Sequence, residues 1–443
     1  MEKSLFIPLR EEHLTTLKIR YDFKKDIVRF YAAREWESDL DFSRYNKDFI
    51  IDGILTDDAV CLNTGEVWAL YEKYGLKDYL EQVVALVKAG KHFGIDAYYL
   101  AKYDIRYMMH EHSRKVGLTN RSQAIMAGGI RRHEPEEPEI EVIIDGLNLG
   151  RGMSFKNVAA NVPFGGAKAT VQMGPLDLTN LEIMGFLAFA MDSCRVLTSP
   201  DMNFPTEMSD VITQNGYSTQ YAGGPSGKLG ETGRPTAYGV YLSLKEAVHF
   251  YEGKETLEGK TVALMGLGAV GWYLGEHLLE GGVLKLTVAD TDPAVVQKFI
   301  EAHPGYNIDS CPASEVIYQD VDILCPCAVG AILHDESIPK LQCRYIWGSA
   351  NNQLKASSQE EEIRLAQRIA DRGIHYQIDW YHNTAGVLCA TEEYIYDGTY
   401  ESLIRKIEDN VPAGTWNSLT EARENGLTPT ENLYRNVGKI LYE

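Results

Sequence analysis

Short apolar runs alternate with helical segments in the second half of the chain. The runs are TVALM (261–265), LKLTVAD (284–290), VDILCPCA (321–328), RYIWGSA (344–350) and HYQIDW (375–380). Between them lie segments with a helical spacing of apolar residues, such as PAVVQKFIEAH and EEEIRLAQRIA. Strands that alternate with helices form crossover units, so the pattern predicts a doubly wound parallel sheet in this half.

The first half of the chain is less regular. Residues 1–100 are rich in aromatic and charged residues, and the stretch 79–94 has helical spacing. The pattern from 142 to 200 is mostly helical. EPEEPEIE (134–141) combines two prolines with five glutamates, which predicts an exposed loop. After Pro235, TAYGVYLSLKEAVHFYEG predicts an amphipathic helix that leads to the first apolar run.

Size and charge narrow the classes of protein that the chain can represent. With 443 residues it exceeds the size at which a single core stops growing, so two domains are expected. Its net charge of -20 repels phosphate backbones and anionic lipid surfaces, so we expect neither nucleic acid nor membrane as a partner. No stretch approaches the roughly 20 apolar residues needed to cross a bilayer, and the N-terminus is charged from its start. A cytoplasmic location is therefore expected.

The first apolar run is followed by a glycine loop, GLGAVG. Gly266, Gly268 and Gly271 have the spacing of a dinucleotide-binding turn, and Ala269 and Val270 lie between them. A predicted strand precedes the loop, a helix follows it, and Asp290 ends the next strand nineteen positions after Gly271. Such a carboxylate accepts hydrogen bonds from the adenosine ribose and repels the extra phosphate of NADP. The pattern predicts bound NAD.

Two lysines, Lys156 and Lys168, have small or apolar neighbours and lie twelve residues apart. Burial and a nearby positive charge lower the pKa of a lysine, so Lys168 is a candidate base. Gly165 and Gly166 would leave room for substrate and nicotinamide against the backbone. Asp201 follows an apolar helical run and is a candidate proton carrier. The alternatives are that both lysines lie at the surface with packed stems, and that Asp201 is a helix cap or a loop carboxylate.

Cysteines and histidines offer two possible metal-binding pairs. Cys325 and Cys327 are one residue apart in an apolar segment, and His110 and His112 would share a face of a strand. The histidines have no third ligand nearby in sequence, so an ordinary surface pair is the simpler interpretation, and reduced, buried thiols are the simpler interpretation of the cysteines. We expect no metal.

Several stretches together resemble the Glu/Leu/Phe/Val dehydrogenase family, most closely its leucine and phenylalanine branch. They are GRGMSFKNVAANVPFGGAK, PTAYGVYLSLKEA, GLGAVG, DVDILCPCAVGAILHDESIPKLQ, GSANNQL and NTAGVL, between about 124 and 443. The resemblance implies a homo-oligomeric enzyme that oxidatively deaminates an L-amino acid with NAD. The products would be a 2-oxo acid, ammonium and NADH.

The resemblance also implies roles for individual residues. Lys156 would bind the substrate carboxylate, Lys168 would activate the attacking water, and Asp201 would exchange protons with the amino nitrogen. The other substrate positions would be Gly128, Gly129, Ala127, Ser199, Asn352, Val387 and Ala390, and Thr236, Ala328 and Asn351 would join the glycine loop at the cofactor. The walls of the side-chain pocket are small and lack a basic residue, which favours an apolar or aromatic amino acid.

The chain departs from the family pattern in three places. Asn203, Phe204 and Pro205 replace a short Gly-Thr turn after Asp201, Thr384-Ala385-Gly386 replaces a glycine pair after Asn383, and residues 1–100 have no clear counterpart. These departures leave two other hypotheses open. One is a related NAD-dependent oxidoreductase acting on a non-standard amino acid or amine, and the other is a non-catalytic sensor of NAD or amino acids.

The expected architecture is α/β, with two domains around a cleft. Residues 1–235 would form the domain that binds substrate and assembles the oligomer, with 1–100 as an unusual extension. Residues 236–382 would form the Rossmann-type NAD-binding domain, and 383–443 would return to the first domain.

Overall fold

The structure is a computed structural model, and it describes residues 3–51, 55–114 and 124–443. The chain divides into two compact units. The first contains the described residues up to Val158 together with Pro163–Glu231, and the second contains Ala159–Val162 and Thr232–Glu443. No helix within the described residues combines the length and the apolar character that crossing a membrane requires.

A mixed sheet forms the centre of the first unit. Its strands are β1 (Thr16–Asp22), β2 (Ile27–Arg34), β3 (Val60–Leu62), β4 (Gly94–Leu100), β5 (Ile105–Ser113), β6 (Met126–Ala127), β7 (Ile130–His133), β8 (Gly165–Gln172) and β9 (Val196–Leu197). Their order is β3-β2-β1-β4-β5-β8-β6-β9, and β7 also pairs with β8. Strand β8 is antiparallel to β5 and parallel to β6 and β7, so it lies inside the sheet.

Helices cover both faces of this sheet. They are α1 (Phe6–Glu11), α2 (Thr64–Lys73), α3 (Lys77–Ala89), α4 (Glu139–Ala159), α5 (Leu181–Cys194) and α6 (Glu207–Gln214). Alternate residues of a strand point to opposite faces, and the core follows that rule. Tyr107 and Met109 pack in the cluster that contains α5, whereas Met108 packs in the cluster that contains the start of α4.

The segment 134–141 differs from the predicted exposed loop. Helix α4 begins at Glu139, and this residue is only 5% exposed. Its carboxylate accepts hydrogen bonds from the Ser4 hydroxyl, from the Leu5 amide at 2.6 Å and from the Tyr79 hydroxyl at 3.0 Å. Burial raises the pKa of Glu139 against the lowering effect of these donors. The carboxylate therefore anchors the N-terminal segment to α4, which the local sequence does not reveal.

The first hundred residues contribute strands β1 to β4 to the central sheet of the first unit. Strand β4 pairs with β5 along its whole length, and β5 pairs with β8. Tyr45 reinforces this arrangement, since its hydroxyl donates to the Asp192 carboxylate at 2.9 Å. Asp192 also accepts hydrogen bonds from Ser218 at 2.5 Å and Gln220 at 2.7 Å. The extension and α5 therefore share a buried polar network.

The second unit contains a parallel sheet, which confirms the α/β fold predicted for this half. Its strands are β10 (Thr261–Met265), β11 (Lys285–Ala289), β12 (Ile308–Ser310), β13 (Ile323–Pro326), β14 (Tyr345–Ile346) and β15 (His375–Tyr376). The order is β12-β11-β10-β13-β14-β15, and each neighbouring pair is parallel. The strand order reverses direction between β10 and β13, which is where such sheets bind dinucleotides.

The helices of the second unit include the C-terminal segment of the chain. They are α7 (Gly233–Glu252), α8 (Gly271–Glu280), α9 (Pro293–Ala302), α10 (Gln359–Asp371), α11 (Asp379–His382), α12 (Ala385–Tyr394), α13 (Tyr400–Asn425) and α14 (Pro429–Tyr442). Residues 383–443 were expected to return to the first domain, whereas the structure groups them with the second unit. Leu419 of α13 packs in the core with Leu244 of α7, and Ser243 hydrogen-bonds Thr415 at 2.8 Å.

Candidate active site

Lys168 lies in the middle of β8, a strand whose residues are all buried. Its side chain is 5% exposed, and its Nζ lies 2.5 Å from Oδ2 of Asp201. Asp201 follows β9, and its backbone amide donates to the carbonyl of Ile130 at the start of β7. Three neighbouring backbone segments of the first unit thus bring the predicted lysine and aspartate into direct contact.

The two glycines before Lys168 allow close packing of the backbone. A Cβ at Gly166 would lie 2.1 Å from the amide nitrogen of Ser154 in α4, and one at Gly165 would lie 1.8 Å from the carbonyl oxygen of Ser113 in β5. The expectation that these glycines leave room for ligands is therefore wrong. They let α4 and β5 approach β8, and this packing keeps water away from Lys168.

The pKa of Lys168 is lowered from the usual range of a lysine. Burial is the main cause, and the Arg131 guanidinium adds to it, whereas the Asp201 carboxylate opposes both. Burial alone would raise the pKa of Asp201, yet the Lys168 and Arg131 cations hold it well below its usual range. The pair therefore consists of a carboxylate that stays ionised and an amine that loses its proton more readily than an exposed lysine does.

Arg131 joins this pair to further charges. Its Nε donates to Asp201 at 3.1 Å, and its Nη1 donates to both carboxylate oxygens of Asp145 at 3.1 and 3.0 Å. Asp145 in turn lies 3.3 Å from Nε2 of His133, whose Nδ1 lies 2.9 Å from Glu137. Although burial lowers the pKa of His133, the neighbouring carboxylates of Asp145 and Glu137 raise it overall. Groups of alternating charge thus extend from Lys168 through Asp201 and Arg131 to Asp145.

The glycine pair predicted at the substrate site has two different environments. A Cβ at Gly129 would lie 3.0 Å from Lys168 Nζ and 3.2 Å from Asp201 Cβ, so Gly129 borders the pair directly. A Cβ at Gly128 would lie 1.7 Å from the Ala167 carbonyl oxygen, so Gly128 is required for strand packing. Ser199 accepts a backbone hydrogen bond from Ile130 at 3.1 Å and lies beside Gly129.

The remaining substrate positions of the first unit are buried. Lys156 lies in the last turn of α4, and Ala127 lies in β6. The next residue of α4, Asn157, donates to the carbonyls of Ala127 at 3.3 Å and Gly165 at 2.7 Å. This amide fixes the C-terminal end of α4 against the sheet that carries Lys168.

The glycine loop of the second unit has the geometry of a dinucleotide turn. It connects β10 to α8, and Gly266 has a φ of 94°, a backbone conformation that favours glycine. A Cβ at Gly271 would lie 1.9 Å from the Gly266 carbonyl oxygen, whereas one at Gly268 would meet nothing within 4 Å. The loop is therefore tight where α8 begins and open at Gly268, where a pyrophosphate would approach the helix N-terminus.

Asp290 lies directly after β11 and is connected to this loop. Its Oδ2 accepts the Leu267 amide at 2.8 Å, and its Oδ1 accepts the Asp292 amide at 3.0 Å. Each carboxylate oxygen has two lone pairs, so these bonds leave acceptor capacity for ribose hydroxyls. Asp292 places a second carboxylate nearby and caps α9. The residues present therefore fit an adenosine diphosphate group that carries no further phosphate.

The other positions predicted near the cofactor lie around the same sheet. Ala328 packs against Gly266, where a Cβ would be 2.7 Å from its own Cβ. Asn351 accepts a hydrogen bond from Asn383 Nδ2 at 3.0 Å, and Asn352, with a φ of 53°, donates its amide to Asp379 at 3.1 Å. Thr236 lies in α7 beside Gly386, and Val387 and Ala390 are half-buried positions of α12.

Comparisons with known proteins show which family the chain resembles. A family model described as the dimerisation domain of Glu/Leu/Phe/Val dehydrogenases matches residues 118–216. Leucine dehydrogenase of Bacillus subtilis is 35% identical over 329 residues, which cover 70% of this chain and 84% of that protein. The chain belongs to the Glu/Leu/Phe/Val dehydrogenase family. It is therefore an amino acid dehydrogenase, an oxidoreductase that uses a nicotinamide cofactor.

A second relative is similar in both sequence and structure. L-tryptophan dehydrogenase of Nostoc punctiforme is 36% identical over 273 residues, which cover 61% of this chain and 74% of that protein. The crystal structure of the Nostoc punctiforme enzyme matches with a TM-score of 0.62 at 27% identity over 80% of this chain and 97% of that one. The expected family and fold are thus confirmed.

Sequence reasoning on this amino acid dehydrogenase missed Arg131, Asp145 and His133. A signal was present, because Arg131 and His133 alternate along IRRH and so share one face of β7. Asp145 lies on α4, whose helical pattern gives no indication that this particular carboxylate faces the sheet. Asn383 orients Asn351, whereas its sequence context indicates only the start of a departure from the family pattern.

The histidine pair considered as possible metal ligands lies in a different environment from the expected one. His110 and His112 are buried and not a surface pair, and His110 Nε2 lies 2.9 Å from the Thr170 hydroxyl. Within the described ranges, the donors that lie close enough together to hold an ion are Asp96, Glu111 and Cys194. Arg20 forms ion pairs with both carboxylates, and Arg114 forms a second ion pair with Glu111, so two internal cations already lie against this group.

Proposed function

We propose that the chain is an NAD-dependent L-amino acid dehydrogenase that converts an apolar or aromatic amino acid reversibly to its 2-oxo acid. The observation that carries the proposal is the buried contact between Lys168 and Asp201, with the pKa of the lysine lowered and Gly129 beside it. Oxidative deamination needs both a group that activates water and a group that exchanges protons with nitrogen, and this contact supplies one of each.

In the proposed reaction, Lys156 binds the substrate carboxylate and fixes the α-carbon. A bound nicotinamide supplies the acceptor for the hydride from that carbon. Lys168, in its neutral form, takes a proton from water as the water oxygen bonds to the resulting imine carbon. Asp201 exchanges protons with the nitrogen, which leaves as ammonium. Overall, the amino acid, NAD⁺ and water give the 2-oxo acid, ammonium, NADH and one proton.

The preference for NAD over NADP rests on the end of β11. Asp290 and Asp292 place two carboxylates where the adenosine ribose would lie, and both would repel a 2'-phosphate. The open space at Gly268 is compatible with a pyrophosphate, and the N-terminus of α8 favours negative charge there. The second unit is thus proposed to bind NAD, and the first to bind substrate and to assemble a homo-oligomer.

The substrate class is inferred from the residues at the positions that the family resemblance assigns to the substrate side chain. Ala127, Ser199, Val387 and Ala390 are small or apolar, and none offers a cation to an acidic side chain. Small residues at these positions favour a branched or aromatic side chain over an acidic one. The names of the related enzymes, which act on leucine or tryptophan, support the same class.

A panel of L-amino acids tests this proposal. NADH formation is followed by absorbance with leucine, valine, phenylalanine, tryptophan and glutamate, and NADP replaces NAD as a control. We expect turnover with one or more of the apolar or aromatic amino acids and little with glutamate. Turnover with glutamate alone, or with NADP in preference to NAD, would contradict the proposal.

A further inference from the structure

Among the interactions described above, Arg131 is the side chain that contacts both Asp201 and Asp145. Its side chain is 11% exposed, and its guanidinium forms three hydrogen bonds, one to Asp201 and two to Asp145. The bonds to Asp145 use one guanidinium nitrogen, and the bond to Asp201 uses another. The planar group is therefore fixed between two carboxylates from different elements, the loop after β9 and helix α4.

We propose that Arg131 is a positioning residue that holds the Asp201 carboxylate against Lys168, and that Asp145 holds Arg131 in place. The inference rests on the proposed function, because it concerns the same pair of proton-carrying groups. Asp201 is a quarter exposed and follows the short strand β9, so the strand alone does not fix its carboxylate. Arg131 supplies that restraint from the neighbouring strand β7.

An arginine suits this position better than a lysine. The guanidinium stays charged at every pH at which an enzyme works, and it offers several donors in one plane. A lysine in its place would keep the charge, but its single ammonium could not reproduce the same planar bridge. The positive charge also matters for Lys168, since it disfavours the protonated amine and so favours the neutral form that activates water.

The charged groups around Lys168 come from several elements. Asp201 in the loop after β9 and Asp145 in α4 raise its pKa, whereas burial and Arg131 in β7 lower it. His110 in β5 is the pairing partner of Lys168, and burial lowers its pKa to about 3, so it is neutral near pH 7. His133 in β7 and Glu137 beyond it interact with Asp145. Arg131 and Asp145 therefore act on Lys168 in opposite directions.

Two variants separate positioning from a purely structural role. Arg131→Met removes the charge that disfavours protonated Lys168, so the pKa of Lys168 rises. Asp145→Asn removes a charge that favours protonation, so the pKa falls. The acid limb of kcat/KM against pH should move to higher pH in the first variant by about one unit, and to lower pH in the second. Both variants should lose kcat by about 100-fold because Asp201 is less well held.

A second measurement does not depend on turnover. The rate at which Lys168 reacts with acetic anhydride is measured against pH by mass spectrometry on the full-length protein, and it reports the pKa of the amine directly. The half-point of this curve should shift in the same two directions. Arg131→Lys should recover the pH dependence of the wild type but only part of its kcat.

Arg106→Met is the matched control. Arg106 has a similar exposure of 14% and also pairs with an aspartate, Asp104 at 3.0 Å, so it tests the loss of such an arginine in general. It should leave both curves unchanged. Thermal unfolding shows whether the two test variants are folded. If both are folded and neither the pH dependence of kcat/KM nor that of acetylation moves, the positioning role is overturned. A wild-type protein without turnover on any amino acid would overturn the proposed function, while the labelling shifts would still support the role of Arg131.

Discussion

Nζ of Lys168 and Oδ2 of Asp201 lie 2.5 Å apart in the first unit, although 33 positions of sequence separate the two residues. The contact arises because β8 is an interior strand and because the loop after β9 bonds to the start of β7. The lysine is buried, so its protonation depends on a small number of neighbouring charges. Substitutions of Lys168 and of these neighbouring charged residues should therefore change catalytic activity more than they change the fold.

Replacing Lys168 by alanine should lower kcat by about 1,000-fold or more, because the group that activates water is lost. The affinity for NAD, measured by calorimetry, should change little, since the proposed NAD site lies in the second unit. Lys260→Met is a suitable control. Lys260 is also buried and forms an ion pair, with Glu252 at 2.7 Å, so it reports the general effect of losing a buried lysine. Substantial turnover in the Lys168 variant would remove that residue from the mechanism.

Asp290→Asn should weaken the discrimination against NADP. The amide keeps one oxygen as an acceptor but carries no charge to repel a 2'-phosphate, so the ratio of kcat/KM for NAD to that for NADP should fall by about 10-fold or more. Asp292→Asn serves as a comparison, because its carboxylate caps α9 and should contribute less. An unchanged cofactor ratio in the Asp290 variant would show that another residue sets the preference.

Alanine substitutions at Gly271 and Gly268, in the glycine loop between β10 and α8, should have different effects on stability and on NAD affinity. Gly271→Ala places a Cβ 1.9 Å from the Gly266 carbonyl oxygen, so the melting temperature of the protein should fall. Gly268→Ala meets no protein atom within 4 Å, so the melting temperature should stay close to that of the wild type while NAD affinity drops. Calorimetric unfolding and NAD titration of both variants measure this contrast. Equal NAD affinity in Gly268→Ala and the wild type would contradict the assigned path of the pyrophosphate.

His110 should make stability depend on pH. Burial lowers the pKa of His110 to about 3 in the folded protein, against an unfolded value of about 6.5. The unfolded chain therefore binds more protons between these values, so the free energy of unfolding falls as the pH falls from about 6.5 towards 3. His110→Gln should make this dependence less steep between pH 4 and 6.5 in thermal unfolding experiments, while the buried His112, whose pKa burial also lowers to about 3, maintains part of it. The exposed His13→Gln variant should keep the slope of the wild type.

The parallel sheet could be predicted because its sequence signals are local. TVALM coincides with β10, and the runs 284–290 and 321–328 contain β11 and β13. The position of residues 383–443 could not be predicted in the same way. Which unit a terminal helix covers depends on complementary surfaces, such as Leu419 against Leu244, and those surfaces belong to segments far apart in sequence.

The candidate site, too, could be predicted only in part from the sequence. The neighbours of Lys168 in sequence indicated burial, and its pKa is lowered as expected. They did not indicate that Gly165 and Gly166 face other backbone segments, because that depends on where α4 and β5 pack. The bridge from Asp201 through Arg131 to Asp145 joins residues of three elements, so it becomes visible only in the folded chain.

The sheet order has a practical consequence for anyone who shortens this enzyme. The match to the family model begins at residue 118, which makes the preceding segment look like a removable appendage. Yet β5, from that segment, is the antiparallel neighbour of β8, and β4 covers the outer edge of β5. A truncated gene product would expose one hydrogen-bonding edge of the strand that carries Lys168, and bare edges of this kind promote aggregation.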